Sequence, residues 1–148
     1  IDKAISEFSR RGDLVALSGP YIYYDIPART NFFIRLYYSV GLLFHLWNHR
    51  VLHSGALLQG GNFVLKRSAL ERVGGFDVDI AFFGEDTDIA RRIQREGSVR
   101  FTFKLPMYTS GRRLKREGVL RTASVYVTNH LWVLFFKKPF TKSFRDIR

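Results

Sequence analysis

The 148 residues include no cysteine, so neither a disulfide framework nor a thiolate zinc site is open to this chain. That suits a reducing, cytoplasmic compartment. Methionine occurs once, at Met107, and proline four times. No secretory leader opens the sequence: IDKAISEFSRR reads as a helix already under way, and the expectation is a piece of a longer protein. Long apolar runs are missing as well. The longest is LWVLFF, Leu131 to Phe136, against the roughly 18 residues that a membrane-spanning helix needs. Internal repeats and low-complexity tracts are also absent. Carboxylates are scarce, 13 against 24 Lys and Arg, which leaves a formal net charge of +11.

What is present is apolar material, 46% of residues with 16% aromatic, which is enough for one domain core and excludes a disordered tail. The positive charge is uneven. Residues 112–148 hold ten Lys and Arg against two acids, whereas 1–111 hold fourteen against eleven. This contrast divides the chain into a domain body, 1–111, and a basic, aromatic C-terminal helix and tail, 112–148. A basic end of this kind points to phosphates, whether of a nucleotide, a lipid headgroup or a nucleic acid.

Periodicity predicts a mixed order of elements. A helix over Asp2 to Arg11 precedes a strand in DLVALSG and a second extended piece in YIYYD. Asn31 to Leu52 is the clearest helix, with Phe33, Leu36, Tyr37, Val40, Leu43, Phe44, Trp47 and Val51 on one face. NFVLKR reads as a short strand. SALERVGGFD reads as a short helix capped by Ser68 and stopped by Gly74-Gly75. A further helix is expected from about Asp86 to Glu96, a strand over Val99 to Leu105, a polar turn in TSGRRLKREG, and an amphipathic helix in VLRTASVYVTNHLWVLFF. The fold class is α/β with an added amphipathic C-terminal helix.

Five of the thirteen carboxylates fall between Asp77 and Asp88, and like charges this close raise one another's pKa. A helix start offsets part of that cost through its unpaired N–H groups, and Asp88 can pair with Arg91 or Arg92 one turn on. An acidic N-terminus feeding a basic helix is therefore a sufficient structural account. Three features go beyond it: Gly84 lets the backbone approach a ligand, Phe82 and Phe83 stand beside the acids, and three carboxylates in four residues exceed what capping requires. A carboxylate held at a helix start beside apolar rings suits a general base for a hydroxyl.

The order GGNFVLKRSALERVGGFD, then GEDTDIARRIQREG, then a strand and SGRR, resembles the acceptor-side, C-terminal half of family 2 glycosyltransferases with the GT-A fold. The resemblance runs from Ile1 to about Leu134 and is most specific from Gly60 to Gly97. It implies an inverting, in-line displacement at the anomeric carbon of a nucleotide-sugar. By the same resemblance Asp86 is the base that deprotonates the acceptor hydroxyl, and Glu85 is its partner in binding sugar or acceptor. Gly60, Gly61 and Asn62 match the turn lining the donor-sugar and acceptor pocket, and Gly75 and Phe76 match the turn before the acidic helix. Arg112 and Arg113 lie where the family often contacts the departing diphosphate, a role suited to a bidentate guanidinium. Solvated arginines at a helix start are the plainer alternative.

The departures from the family pattern shape the expectation further. The donor-binding half, ending in an Asp-x-Asp metal motif, would precede Ile1. Asp77-Val78-Asp79 and Asp86-Thr87-Asp88 have that form but lie downstream, so no metal is assigned to them. A divalent cation, Mg or Mn, is expected in the complete enzyme with its ligands outside this chain, and the chain by itself is expected to be inactive. The Gln-x-x-Arg-Trp motif of processive members is absent, which argues for transfer of single sugars. No histidine closely follows the Val99–Leu105 strand.

His45, His49 and His53 stand at i, i+4 and i+8, a metal-compatible spacing that more often marks a polar helix face. His130 sits alone in an apolar stretch and reads as a packed residue. Tyr126, Trp132, Phe135 and Phe136 beside KKPFTKSFRDIR have the pattern of a helix on an anionic membrane surface, which would place the protein peripherally at the inner face and fit a lipid-linked acceptor. A non-catalytic basic module for membrane or nucleic acid is the alternative function. Nucleic acid is not expected as a partner, because no recognition signature is present and the acidic cluster would repel phosphate.

Overall fold

The computed structural model describes residues 2–52, 58–80, 84–136 and 140–141, with side chains described in these except at 44–52, 130–131 and 133–135. Helix α1, Asp2–Arg10, leads into β1, Leu14–Ser18, and β2, Tyr21–Tyr23, and then into the long α2, Ala28–Leu52. After them come β3, Phe63–Leu65, and α3, Arg67–Arg72. Next are α4, Glu85–Ile93, and β4, Ser98–Phe101. The order closes with β5, Met107–Thr109, α5, Arg112–Glu117, and α6, Val119–Phe136.

β1 is the centre of the molecule. It pairs antiparallel with β3 and parallel with β4, in the order β3-β1-β4. All five of its residues are buried, as expected of a central strand covered on both faces. A register shift between Leu14 and Ala16 interrupts strict alternation, and the core divides accordingly. Leu14 and Leu17 pack with Ala4 of α1, while Val15 and Ala16 pack with Ala69 of α3 and with Ile89, Ala90 and Ile93 of α4. Each isoleucine is fully buried, worth about 1.5–3 kcal/mol in transfer from water. A second, two-stranded parallel sheet joins β2 to β5.

Several expected boundaries shift for identifiable reasons. The strand predicted over Val99 to Leu105 ends at Phe101, where Leu105 N–H bonds back to Thr102 and closes a turn. Helix α3 starts at Arg67 behind Lys66, with no side-chain cap, so Ser68 is not its N-cap. TSGRRLKREG is largely a helix, α5, separated from α6 by Gly118 at φ 85°. The long helix begins three residues before Asn31, where the Thr30 and Asn31 N–H groups bond back to the Pro27 carbonyl, and the Asn31 side chain is engaged elsewhere. Its amide donates to the Tyr23 carbonyl at 2.6 Å and accepts from the Tyr23 N–H at 3.0 Å, clamping α2 to β2.

The apolar face expected on α2 is present but uncovered. Tyr38 stacks on Phe101 with centroids 5.9 Å apart, and Arg35 lies over the Phe103 ring. Phe33, Leu36, Tyr37, Val40 and Leu43 instead remain half or more exposed. Phe44, Trp47, Val51 and the four histidines lie outside the described side chains, as do Phe82 and Phe83. No described helix is long and apolar enough to cross a membrane.

Candidate active site

The acids are gathered by the start of α4. Gly84, at φ 97°, turns the chain in a conformation suited to glycine and accepts the Asp88 N–H as the first bond of the helix. Glu85 is therefore the first helical residue. From there the three carboxylates diverge. Asp88 points into the body, nearly buried, and pairs with Arg91 at 2.9 Å and Arg92 at 2.7 Å. Arg92 also donates to the carbonyls of Val73 and Gly75, which ties the Gly74-Gly75 turn to this inner face of α4. Asp88 is thus a structural residue.

Asp86 points the other way. Its Oδ2 accepts the Gly60 N–H at 2.8 Å, and its Oδ1 accepts the Thr87 N–H at 2.7 Å. Glu85 stands beside it at the rim. Desolvation and then the neighbouring Asp86 charge push the Glu85 pKa upward, against the pull of its own backbone N–H. The two acids therefore differ in setting: one is fixed by peptide donors, the other leans toward holding its proton.

The turn carrying Gly60 is built from below. Asn62 is buried and donates its amide to the carbonyls of Gly19, Pro20 and Leu105. The Ser18 hydroxyl donates to the Asn62 carbonyl and accepts the Gln59 N–H. Asn62 therefore positions the turn and does not line an opening. Gly61 has φ 78° and faces the Tyr21 hydroxyl, which donates to the Gly60 carbonyl. Tyr21 thus holds the carbonyl of the same residue whose N–H serves Asp86.

The opposite wall comes from the C-terminal helices. Tyr126 of α6 lies close enough to Asp86 to feel its charge and is hydrogen-bonded by Arg113 of α5. Burial raises the hydroxyl pKa of both Tyr21 and Tyr126. The start of α5 is anchored by Asp25, which accepts from Gly111 N–H and from Ser110 Oγ at 2.8 Å, and pairs with Lys115 at 3.3 Å. These contacts hold the Asp25 carboxyl down at about 2.

Of the residues expected from sequence, Glu85, Asp86, Gly60, Gly61 and Arg113 converge on one place. Gly75 sits on the Arg92 side of α4, Phe76 packs against Phe63 and is 44% exposed, and Arg112 is exposed at the first turn of α5. Three contributors were not anticipated: Tyr21, Tyr126 and Asp25. Asp25 carried a legible signal, since no other carboxylate lies between Asp13 and Glu71.

The divalent cation's ligands are expected outside this chain, and the Asp-x-Asp acids present are engaged locally. Asp86 and Asp88 turn to opposite sides, and Asp77 Oδ1 accepts the Asp79 N–H in a local turn. Among the described residues no group of three His, Asp or Glu side chains could hold a metal. A groove between α1 and the loop after β4, lined by Ser6, Glu7, Thr102 and Leu105 among others, does not include Glu85 or Asp86.

At the start of α4, then, a mixed α/β domain gathers a carboxylate fixed by peptide N–H groups beside a second acid, two tyrosines and an arginine. The family model described as glycosyl transferase family group 2 matches residues 1–138, and the chain belongs to this family. No match is found among curated proteins or among solved structures.

Proposed function

We propose that this chain is the acceptor-side half of a GT-A domain in an inverting glycosyltransferase, with Asp86 as general base. Family membership supports sugar transfer in general, with a sugar donor and an acceptor. The observation that carries the finer reading is the Gly60 N–H donated to Asp86 Oδ2 at 2.8 Å, with Glu85 adjacent. Asp86 receives the proton of the acceptor hydroxyl. The freed oxygen attacks the anomeric carbon of the nucleotide-sugar from the side opposite the diphosphate, and the carbon–oxygen bond to the leaving group breaks with inversion. Glu85, beside it, can accept hydrogen bonds from acceptor or sugar hydroxyls. Arg113, oriented by Tyr126, is suited to the charge that develops on the departing diphosphate.

A lipid-linked acceptor and a peripheral position at the inner face of a membrane belong to the same reading. The exposed cluster of Trp132, Phe136 and Phe140, with centroids 4.3 and 5.0 Å from Trp132, supports it. In the full-length enzyme Asp86→Asn should lower the transfer rate by about 10²–10⁴-fold, the range for loss of a general base, with donor-nucleotide affinity unchanged. A loss smaller than that at saturating substrates would overturn the base assignment.

A further inference from the structure

Gly60 has no side chain to steer it, so the hydrogen bonds of its own backbone orient it at the tip of its turn. The base of that turn is closed. The Asn62 N–H bonds to the Gln59 carbonyl at 2.8 Å, and buried Ser18 and Asn62 hold it from beneath. At the tip, two side chains meet the Gly60 backbone: Asp86 takes its N–H, and the Tyr21 hydroxyl donates to its carbonyl. Gly61, at φ 78°, leaves the space that the hydroxyl occupies, because a Cβ there would collide with the Tyr21 oxygen. Tyr21 is itself held. β2 aligns it with Met107 of β5, whose N–H donates to the Pro20 carbonyl at 3.0 Å. The Asn31 amide brackets the same strand two residues on, at Tyr23. Burial first, then Tyr126, Asp86 and Glu85, raise the Tyr21 pKa, so its hydroxyl keeps the proton that it donates.

We propose that Tyr21 is a positioning residue for the transfer reaction: its hydroxyl fixes the Gly60 turn, and the turn fixes the carboxylate of Asp86. The inference rests on the reading of Asp86 as base and adds a residue that acts without touching the reacting atoms. Without the hydroxyl the Gly60 carbonyl loses its donor, and the Gly60 N–H, on the other side of the same Cα, is free to swing away from Oδ2. The remaining peptide donor, the Thr87 N–H on Oδ1, belongs to α4 and moves with Asp86. It therefore cannot register the carboxylate against the rest of the site. The hydroxyl of Tyr21 does so, since the contacts run from β2 through the turn before β3 to the start of α4. A base displaced by a fraction of an ångström loses rate without losing substrate affinity.

Tyr21→Phe removes one hydroxyl and keeps the ring. In the full-length enzyme it should lower kcat by about ten-fold with KM for the sugar donor unchanged. In an Asp86→Asn background the same substitution should change the rate by less than about two-fold, the non-additivity of residues that act as one unit. Tyr23→Phe, at a ring 6.0 Å away, should stay near the wild-type rate. With glycine isotopically labelled at nitrogen, the Gly60 amide is the signal that Gly60→Ala removes. Its exchange with solvent should be about ten-fold faster in Tyr21→Phe while the far-ultraviolet circular dichroism is unchanged. An equal loss of rate in both backgrounds would show Tyr21 acting apart from Asp86 and would overturn this inference alone. So would a Gly60 amide that exchanges as in wild type, a raised KM at unchanged kcat, or an equal loss in Tyr23→Phe, the mark of general packing. An Asp86→Asn enzyme at full rate would instead overturn the base reading itself, and the role of Tyr21 in transfer with it.

Discussion

Gly60 and Asp86, 26 residues apart in the chain, meet through a backbone N–H donated to carboxylate Oδ2 at 2.8 Å. The contact leaves no space for a side chain at position 60. A Cβ there would stand 2.9 Å from Asp86 Oδ2 and 3.6 Å from Glu85 Oε1. Gly60 is not among the glycines with positive φ, so alanine would meet the carboxylates without backbone strain.

Gly60→Ala is therefore expected to displace Asp86 while leaving the fold nearly intact. A misplacement of a fraction of an ångström at a base costs about 10–100-fold in rate. Steady-state kinetics of the full-length enzyme and a thermal melt check this together: the rate falls and the midpoint moves by no more than a few degrees. Unchanged kinetics would mean that the Gly60 contact does not position the reacting carboxylate.

Asp88, two residues from the proposed base, should behave in the opposite way. Its side chain is only 11% exposed and answers two guanidinium groups that are themselves 30% and 20% exposed. Asp88→Asn leaves both arginines short of a counter-charge, at a cost of about 2–4 kcal/mol for a largely buried pair. Urea unfolding should show that loss, and transfer per folded molecule should stay near wild type. A variant as stable as wild type but inactive would exchange the roles assigned to Asp86 and Asp88.

The contrast between these neighbours shows how far the sequence could be read. Glu85-Asp86 stood out because a helix start welcomes acids, a local requirement, whereas Gly60-Gly61-Asn62 was picked out by the family resemblance and not by any local rule. The pairing of Asp88 with Arg91 and Arg92 follows from helical spacing alone. Tyr21 and Tyr126 were not legible. They reach the acids from β2 and α6, elements far from α4 in sequence, and an aromatic side chain carries no mark of its long-range partner. The stripe on α2 was plain from its period, yet periodicity describes a face and not what covers it. Ser68 illustrates a local rule that lost: Val15 O accepts the Lys66 N–H in sheet continuation, and the helix then starts directly behind it.

Asp25 predicts an acid-sensitive anchor for α5. The Gly111 N–H is the main influence lowering its pKa to about 2, with Ser110 and Lys115 adding to it and desolvation opposing. The folded value lies below the ordinary 3.8, so the fold binds this proton less tightly than the unfolded chain does. The stabilising contribution is complete above about pH 4 and is lost as pH falls toward about 2. Melting temperatures of wild type and Asp25→Asn should differ at pH 7 and converge by pH 2. A gap that is independent of pH would mean that shape, not charge, makes the anchor.

Glu85 titrates in the reverse sense, and its substitution separates stability from function. Desolvation and the Asp86 charge raise its pKa above 4.5 in the fold. A raised carboxylate pKa means that the folded state binds the proton more tightly than the unfolded chain. Its favourable share is full below about pH 4.5 and is lost as pH rises through the folded value. At neutral pH the ionised Glu85 is therefore a cost, borne beside a second negative charge. Glu85→Gln removes that charge and keeps the shape. Its melting temperature should exceed that of wild type at pH 7, and the advantage should vanish below pH 4, where wild-type Glu85 is itself neutral. Transfer should fall by about ten-fold or more, because an amide accepts the hydroxyls of acceptor or sugar less strongly than a carboxylate does. A variant that is more stable and equally active would show that Glu85 has no part in the chemistry. One that is less stable at pH 7 would show that the carboxylate is held by contacts stronger than its repulsion from Asp86.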